Sequence, residues 1–145
     1  MAAQHPIFKF DVFIYKNDQK SSEEFTKYMT EVYAPKAAPI VKRNGILQYA
    51  VMVTNPIYRE RQGDFIKNKM KQPEWTVPDY DAIVSYWIRD PTDMVKLRED
   101  PEFPELEKDV PVIANTKLGH LLLGHQTLMF TSDEMPRPVL PISSA

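Results

Sequence analysis

The sequence contains no cysteine, which excludes disulfide bonds, thiolate catalysis and cysteine-ligated metal centres. It has only three histidines, and none of them stands at the spacing of a metal site. It also lacks the glycine-rich motifs that hold phosphates or dinucleotides, and only four glycines occur in the chain. The sequence therefore predicts no metal site and no nucleotide cofactor.

Strong charge and long apolar runs are also missing. The net charge is −2, so the chain lacks the basic surface of a nucleic-acid-binding protein. No apolar run approaches the roughly 18 residues of a membrane span, and residues 1–6 lack the apolar core of a signal peptide. We expect a cytoplasmic protein that binds neither nucleic acid nor membrane. His5 is expected to lie in a loose N-terminal end.

Proline, in contrast, is abundant, with thirteen residues in a chain of 145. This number predicts many abrupt stops between short elements. The length suits a single domain with a real core. We place that domain at residues 1–130 and a proline-rich C-terminal tail at residues 131–145.

Three stretches alternate as β-strands, at residues 8–15, 46–54 and 80–88. Each has an apolar face and a mixed face that combines polar and large apolar side chains. The apolar face carries Phe8, Phe10, Val12, Ile14, Leu47, Tyr49, Val51, Val53, Tyr80, Ala82, Val84, Tyr86 and Ile88. The mixed face carries Lys9, Asp11, Phe13, Tyr15, Ile46, Gln48, Ala50, Met52, Thr54, Asp81, Ile83, Ser85 and Trp87. A fourth strand is predicted at residues 117–130.

Helix signals separate these strands. Ser21 and Glu24 have the spacing of a capping box, and Pro35 should disrupt or kink the helix that follows. Asp90-Pro91 starts a helix that runs to about Arg98, and a second start follows at Asp100. Residues 57–78 are harder to assign, and we interpret them as a partly helical excursion that forms a lid or a pocket rim.

The order of elements is that of the ferredoxin-like split β-α-β plan, an α+β fold. A four-stranded antiparallel sheet would cover its apolar face with helices. The sequence offers no second layer for the mixed face. We therefore expect two copies of the chain to pack their mixed faces together as a homodimer, which forms a dimeric α+β barrel with a cavity.

Several short segments then resemble a known family. They are residues 8–15, the helix from Ser21, Val32-Tyr33-Ala34-Pro35 with Ala38-Pro39, Arg43-Asn44-Gly45-Ile46, Tyr80-Asp81-Ala82-Ile83 with Trp87-Ile88-Arg89, and Asp100-Pro101-Glu102-Phe103. Over residues 8–130 the chain resembles EthD-type domains of the dimeric α+β barrel superfamily. It is most similar to fungal proteins that act on aromatic polyketides, of the atrochrysone-carboxylic-acid decarboxylase type. The family usually has His where this chain has Tyr33, which donates a proton more readily than it accepts one.

The resemblance implies a cofactor-independent enzyme that decarboxylates an aromatic polyketide carboxylic acid. An aldol-type cyclisation with dehydration needs the same proton-transfer group and the same stabilisation of a carbonyl oxygen, and is the first alternative function. A non-enzymatic ligand carrier is the second alternative. We predict His125 as the proton-transfer group if Leu121, Leu123 and Thr127 face the cavity, since its ordinary pKa is about 6.5. In the opposite register His120 and Gln126 point inwards instead.

Support is expected from carboxylates and from a polar and aromatic lining. Asp11 and Asp81 are candidate bases or partners of a histidine, although salt bridges to Lys9 or Arg89, or a position at the barrel rim, are an equal alternative. Tyr33 is a candidate proton donor. The predicted substrate-binding residues are Ser85, Trp87, Phe13, Tyr15, Gln48, Met52, Ile83 and His120.

Overall fold

A computed structural model describes residues 6–139. Its four strands are β1 Ile7–Ile14, β2 Gln48–Val53, β3 Ala82–Ile88 and β4 His120–Gln126. They form one sheet in the order β2-β3-β1-β4, in which every neighbouring pair is antiparallel. This confirms the predicted ferredoxin-like α+β fold. His5 and the last six residues of the predicted tail lie outside the described residues.

Helices connect the strands. They are α1 Ser22–Lys27, α2 Ala34–Arg43, α3 Pro56–Asp64, α4 Thr92–Glu99, α5 Glu102–Glu107 and α6 Val110–Ile113. A π-helical segment, Tyr28–Tyr33, joins α1 to α2, and another, Phe65–Lys69, follows α3. The capping box is confirmed, because the Ser21 hydroxyl accepts from the Glu24 amide and the Ser21 amide donates to the Glu24 carboxylate.

The helix does not end at Pro35. Its backbone widens into the π-helical segment directly before this proline, and the amide of Ala34 donates to the carbonyl of Met29, five residues back. Pro35 has no N–H to continue the α-helical ladder, so an irregularity at this point is expected. The chain then stays helical through Pro39 to Arg43.

The core lies between the helices and the apolar face of the sheet. Phe25, Met29, Val41 and Leu97 are fully buried there, together with Val84 and Ile88 from β3. Alternation therefore predicted correctly which residues within β1, β2 and β3 face the helices. It was wrong next to the strands: Leu47 is exposed, Ile46 is buried in the core, and the Tyr80 ring packs against Phe13 of the mixed face. In the part of the chain from 6 to 139, no helix is both long and apolar enough to cross a membrane.

A polar junction positions α5 against α2. The Arg43 guanidinium and the Asn44 amide both donate to the Asp100 carboxylate, which lies between α4 and α5. These hydrogen bonds, led by the one from Arg43, hold the pKa of Asp100 well below its usual range. Phe103 is buried one turn further on, so α5 is anchored at its start by charge and by packing.

Candidate active site

A cavity of about 390 Å³ lies between the apolar face of the sheet and the helices. This volume is in the range of small-molecule sites. Its walls are mostly apolar side chains from β1, β3, the first π-helical segment, α4 and α5. The polar side chains of its lining are Tyr33, Tyr86, Arg98, Glu107, Asn115 and Thr116. The cavity therefore lies inside one chain, whereas the sequence predicted it between two mixed faces.

Tyr33 and Glu107 form the central polar pair of this cavity. The π-helical segment ends at Tyr33 and buries its side chain, which is 5% exposed. The Tyr33 hydroxyl donates to Oε1 of Glu107 over 2.7 Å. Burial, then the neighbouring Tyr86 and the Glu107 carboxylate, raise the pKa of Tyr33 far above its usual range. Tyr33 is therefore protonated at any working pH and serves as a donor.

Glu107 is the only acidic residue in the cavity lining of the described chain. It ends α5 and is half-buried. Within residues 6–139 its one hydrogen-bond partner is Tyr33, and it forms no ion pair. One carboxylate oxygen thus holds the Tyr33 hydroxyl, and the other is free to accept a proton from a bound molecule.

Two more tyrosines stand behind this pair. Tyr86 on β3 lines the cavity, and Tyr49 on β2 packs against it with ring centroids 5.2 Å apart. Burial is the main cause that raises the pKa of both hydroxyls. The buried Tyr49 hydroxyl finds no hydrogen-bond partner among the described residues. The cavity therefore presents neutral phenol groups next to one carboxylate.

The register of β4 decides between the two predicted histidines. Phe13 is opposite His120, and Phe8 is opposite His125. His120 and Gln126 therefore share the mixed face, whereas His125 lies on the apolar face and its ring meets Phe8 edge-on at 5.7 Å. The prediction that His125 lines the mixed-face cavity is wrong, and it is not among the residues that line the observed cavity either.

Two of the predicted site residues meet at the centre of the mixed face. The buried Ser85 hydroxyl donates to Oδ1 of Asp11 over 2.6 Å, and Lys9 lies 3.4 Å from the other carboxylate oxygen. Asp11 thus makes the salt bridge that the sequence offered as its alternative role. Lys9 also sits over the Trp87 ring, whose N–H donates to Gln126.

The other mixed-face residues surround this pair without contacting the observed cavity, apart from Phe13, which also lines it. The strand register places Gln48, Met52 and Ile83 on this face. Tyr15 donates to Asp79 and meets the ring of His120 edge-on, at the end of the sheet. The structure therefore brings the predicted binding residues together on a surface, and not around a closed pocket.

Asp81 lies at the same end of the sheet, in a second, polar cavity of about 370 Å³. It accepts hydrogen bonds from the Lys16 amide and from Arg59. Arg59 belongs to α3, so the excursion that the sequence assigned to a lid or rim borders this polar cavity. None of its described residues lines the larger cavity.

Sequence reasoning named Tyr33 but missed Glu107, Tyr86 and Arg98. Tyr49 and Tyr86 were assigned to the apolar face, where Tyr86 is buried and Tyr49 is half-buried. Tyrosines on a predicted apolar face were a usable signal, because a buried phenol hydroxyl needs a polar partner. For Glu107 no signal existed, since it stands among several acidic residues of one helix.

No group of three or more acidic residues or histidines within residues 6–139 is arranged to hold a metal ion. The polar side chains of the cavity are phenols, one guanidinium, one carboxylate, one amide and one hydroxyl. These groups suit hydrogen bonding and proton transfer to an organic molecule.

Comparison with known proteins identifies relatives of this chain. It is 31% identical over 127 residues to "Dehydratase iacD" of Pestalotiopsis fici. The alignment covers 87% of this chain and 90% of that protein. It is 27% identical to "Dehydratase aurZ" of Gibberella zeae over 77% of this chain and 71% of that protein. These relatives are named dehydratases, and the decarboxylase type that the resemblance suggested is not supported by their names.

Solved structures share the fold. A dimeric protein of unknown function with a ferredoxin-like fold from Bacteroides fragilis superposes with a TM-score of 0.56 at 12% identity. The superposition covers 83% of this chain and 96% of that one. The EthD domain family matches residues 17–117. On this match, and on its 31% identity to a relative over most of both chains, the chain belongs to the EthD domain family.

Proposed function

We propose that the protein removes water from a β-hydroxy carbonyl intermediate of aromatic polyketide biosynthesis. The observation that carries the proposal is the Tyr33–Glu107 hydrogen bond inside an apolar cavity. A carboxylate and a neutral phenol in contact can remove one proton and supply another. The dehydratase names of the relatives support this reaction over decarboxylation.

The first step is proton abstraction. The free oxygen of Glu107 takes the acidic proton from the carbon next to the substrate carbonyl, and the electron pair forms an enolate. The protonated hydroxyl of Tyr86, which lines the same cavity, donates a hydrogen bond to the enolate oxygen. Because the surroundings are apolar, such a donor stabilises the developing charge more than it would in water.

The second step expels the β-hydroxyl. The enolate electrons form the carbon–carbon double bond as the carbon–oxygen bond breaks, and Tyr33 donates its proton to the departing hydroxide. Tyr33 recovers a proton from Glu107 across their hydrogen bond. The net change is one substrate converted into one unsaturated carbonyl product and one water, with both protein groups restored.

Mass-resolved product analysis tests the reaction. The purified protein is incubated with aromatic β-hydroxy ketones, with and without a carboxyl group, and with matched analogues that lack the β-hydroxyl. We expect loss of one water from the hydroxylated compounds and no change in the analogues. Loss of carbon dioxide would instead establish the decarboxylase that the resemblance implied. Tight binding without turnover would establish a carrier.

We propose further that the mixed face joins two copies of this chain. In the described chain this face has no covering layer, and Leu122 and Met52 on it are largely exposed. An exposed apolar sheet face with a polar centre fits a self-complementary contact. In this proposal Asp11, Ser85 and Trp87 belong to the dimer contact, and catalysis belongs to the cavity behind the sheet.

Sedimentation equilibrium tests the contact. The wild-type protein should show twice the 16.9 kDa mass of one chain, and Leu122→Asp should show the mass of one chain. The control is Val95→Asp, because Val95 is exposed to a similar degree, 55% against 58%, but lies on α4 in the helical layer. A wild-type mass of one chain, or equal effects of both variants, would contradict the proposal.

A further inference from the structure

Arg98 is the only basic residue in the cavity lining of the described chain. It lies in the last turn of α4, and its side chain is exposed, which places it at the mouth of the cavity. Its charge reaches the interior, because it lowers the pKa of the Tyr86 hydroxyl against the larger effect of burial. A cation thus lies at the entrance of a mostly apolar cavity that contains one carboxylate, that of Glu107.

The Arg98 guanidinium has no bonded partner in the described part of the chain. Neither a hydrogen bond nor an ion pair links Arg98 to any residue in the 6–139 range, and Glu107, which lines the same cavity, is bound only by Tyr33. The neighbouring Lys96, in contrast, pairs with Asp93 on the outer surface. Arg43 and Arg59 are likewise held by carboxylates. Arg98 is therefore free to meet an anion that enters the cavity.

We propose that Arg98 binds a carboxylate of the substrate, which makes the substrates of this site aromatic hydroxy acids. This inference rests on the proposed function and adds the residue that recognises the acid group of the substrate. The guanidinium offers two parallel N–H donors that match a carboxylate, a geometry that a neutral ester cannot use fully. The ring system then fills the apolar cavity, and the reacting carbons lie towards Tyr33 and Glu107.

Binding measurements with a matched pair of probes test this assignment. The probes are 1-hydroxy-2-naphthoic acid and its methyl ester, which have the same ring system and differ in charge. By isothermal titration the wild-type protein should bind the acid at least about tenfold more tightly than the ester, the size of effect expected for one charged hydrogen-bonded contact. Added salt should reduce this preference, since Arg98 is exposed.

Variants of Arg98 show whether this residue causes the preference for the acid over the ester. Arg98→Met should bring the acid-to-ester ratio to about one and leave ester binding within about twofold, while Arg98→Lys, which keeps the charge but loses the fork, should retain part of the preference. Lys96→Met is the matched control, because it removes one positive charge from the same helix outside the cavity. It should keep the wild-type ratio.

Two results would overturn the inference: equal binding of acid and ester by the wild type, or an unchanged ratio in Arg98→Met. Neither depends on turnover. A protein that binds the acid through Arg98 but releases no water from hydroxy ketones would refute the proposed dehydration alone. A protein that dehydrates neutral and acidic substrates equally well would refute the role of Arg98 alone.

Discussion

Glu107→Gln is expected to reduce kcat for dehydration by a factor of about 10²–10⁴, the usual contribution of a positioned general base. The amide has nearly the same shape as the carboxylate, and its oxygen still accepts the Tyr33 hydroxyl, but it cannot take a proton from carbon. The control is Glu105→Gln on the same helix, because Glu105 is exposed and, among the described residues, pairs only with Lys108 at the surface. Steady-state rates of water loss at equal protein concentration provide the comparison.

A second variant shows whether the pair acts as a unit. Tyr33→Phe removes the proposed acid, and the double variant Glu107→Gln/Tyr33→Phe should be only slightly slower than the slower single variant. When two groups work in one proton relay, removing either of them already removes most of the rate enhancement. The losses in activation free energy of the two single variants therefore do not add in the double variant. Full turnover in Glu107→Gln, or costs that multiply in the double variant, would show that the two residues do not share the chemistry.

Phe25→Ala is expected to lower the free energy of unfolding by about 3–5 kcal/mol, as is usual when a buried phenylalanine is truncated. Phe25 is 1% exposed in α1 and packs in the core below the helix that carries Tyr33. The loss combines the transfer free energy of the ring with the cavity that it leaves behind. Urea unfolding followed by circular dichroism, at one fixed protein concentration, measures the change.

The matched control is Phe65→Ala, the same substitution at a site that is 53% exposed. Phe65 lies in the π-helical segment after α3, outside the core cluster. Its truncation should change the free energy of unfolding by no more than about 0.5 kcal/mol. Equal losses in the two variants would mean that the excursion is packed on another surface, such as a second chain.

The fold was predictable because each local signal agreed with the others. Alternation assigned the apolar faces of β1, β2 and β3, and the Ser21–Glu24 capping box marked the start of the first helix. The effect of Pro35 was less predictable, because the chain accommodates this proline with a π-helical segment and stays helical beyond it. Short-range chemistry therefore determined the elements and their order.

The register of β4 was not predictable. Leu121, Leu122 and Leu123 stand in a row, so both faces of this strand carry large apolar side chains. A shift of one residue moves every side chain to the other face, and alternation could not choose between the two. Pairing with β1 made the choice, which put His120 and not His125 on the mixed face.

The sequence by itself determined the α+β plan, the two faces of the sheet and the absence of cysteine chemistry, and it named Tyr33 as a candidate proton donor. Only the tertiary structure decided where the cavity lies and which carboxylate enters it. Tyr33 and Glu107 are far apart in the chain and belong to different helices, and packing on the sheet brings their oxygens within 2.7 Å. Local propensity acts over a few residues, whereas such a contact depends on how whole helices dock. The candidate chemistry of this protein therefore follows from packing more than from any motif.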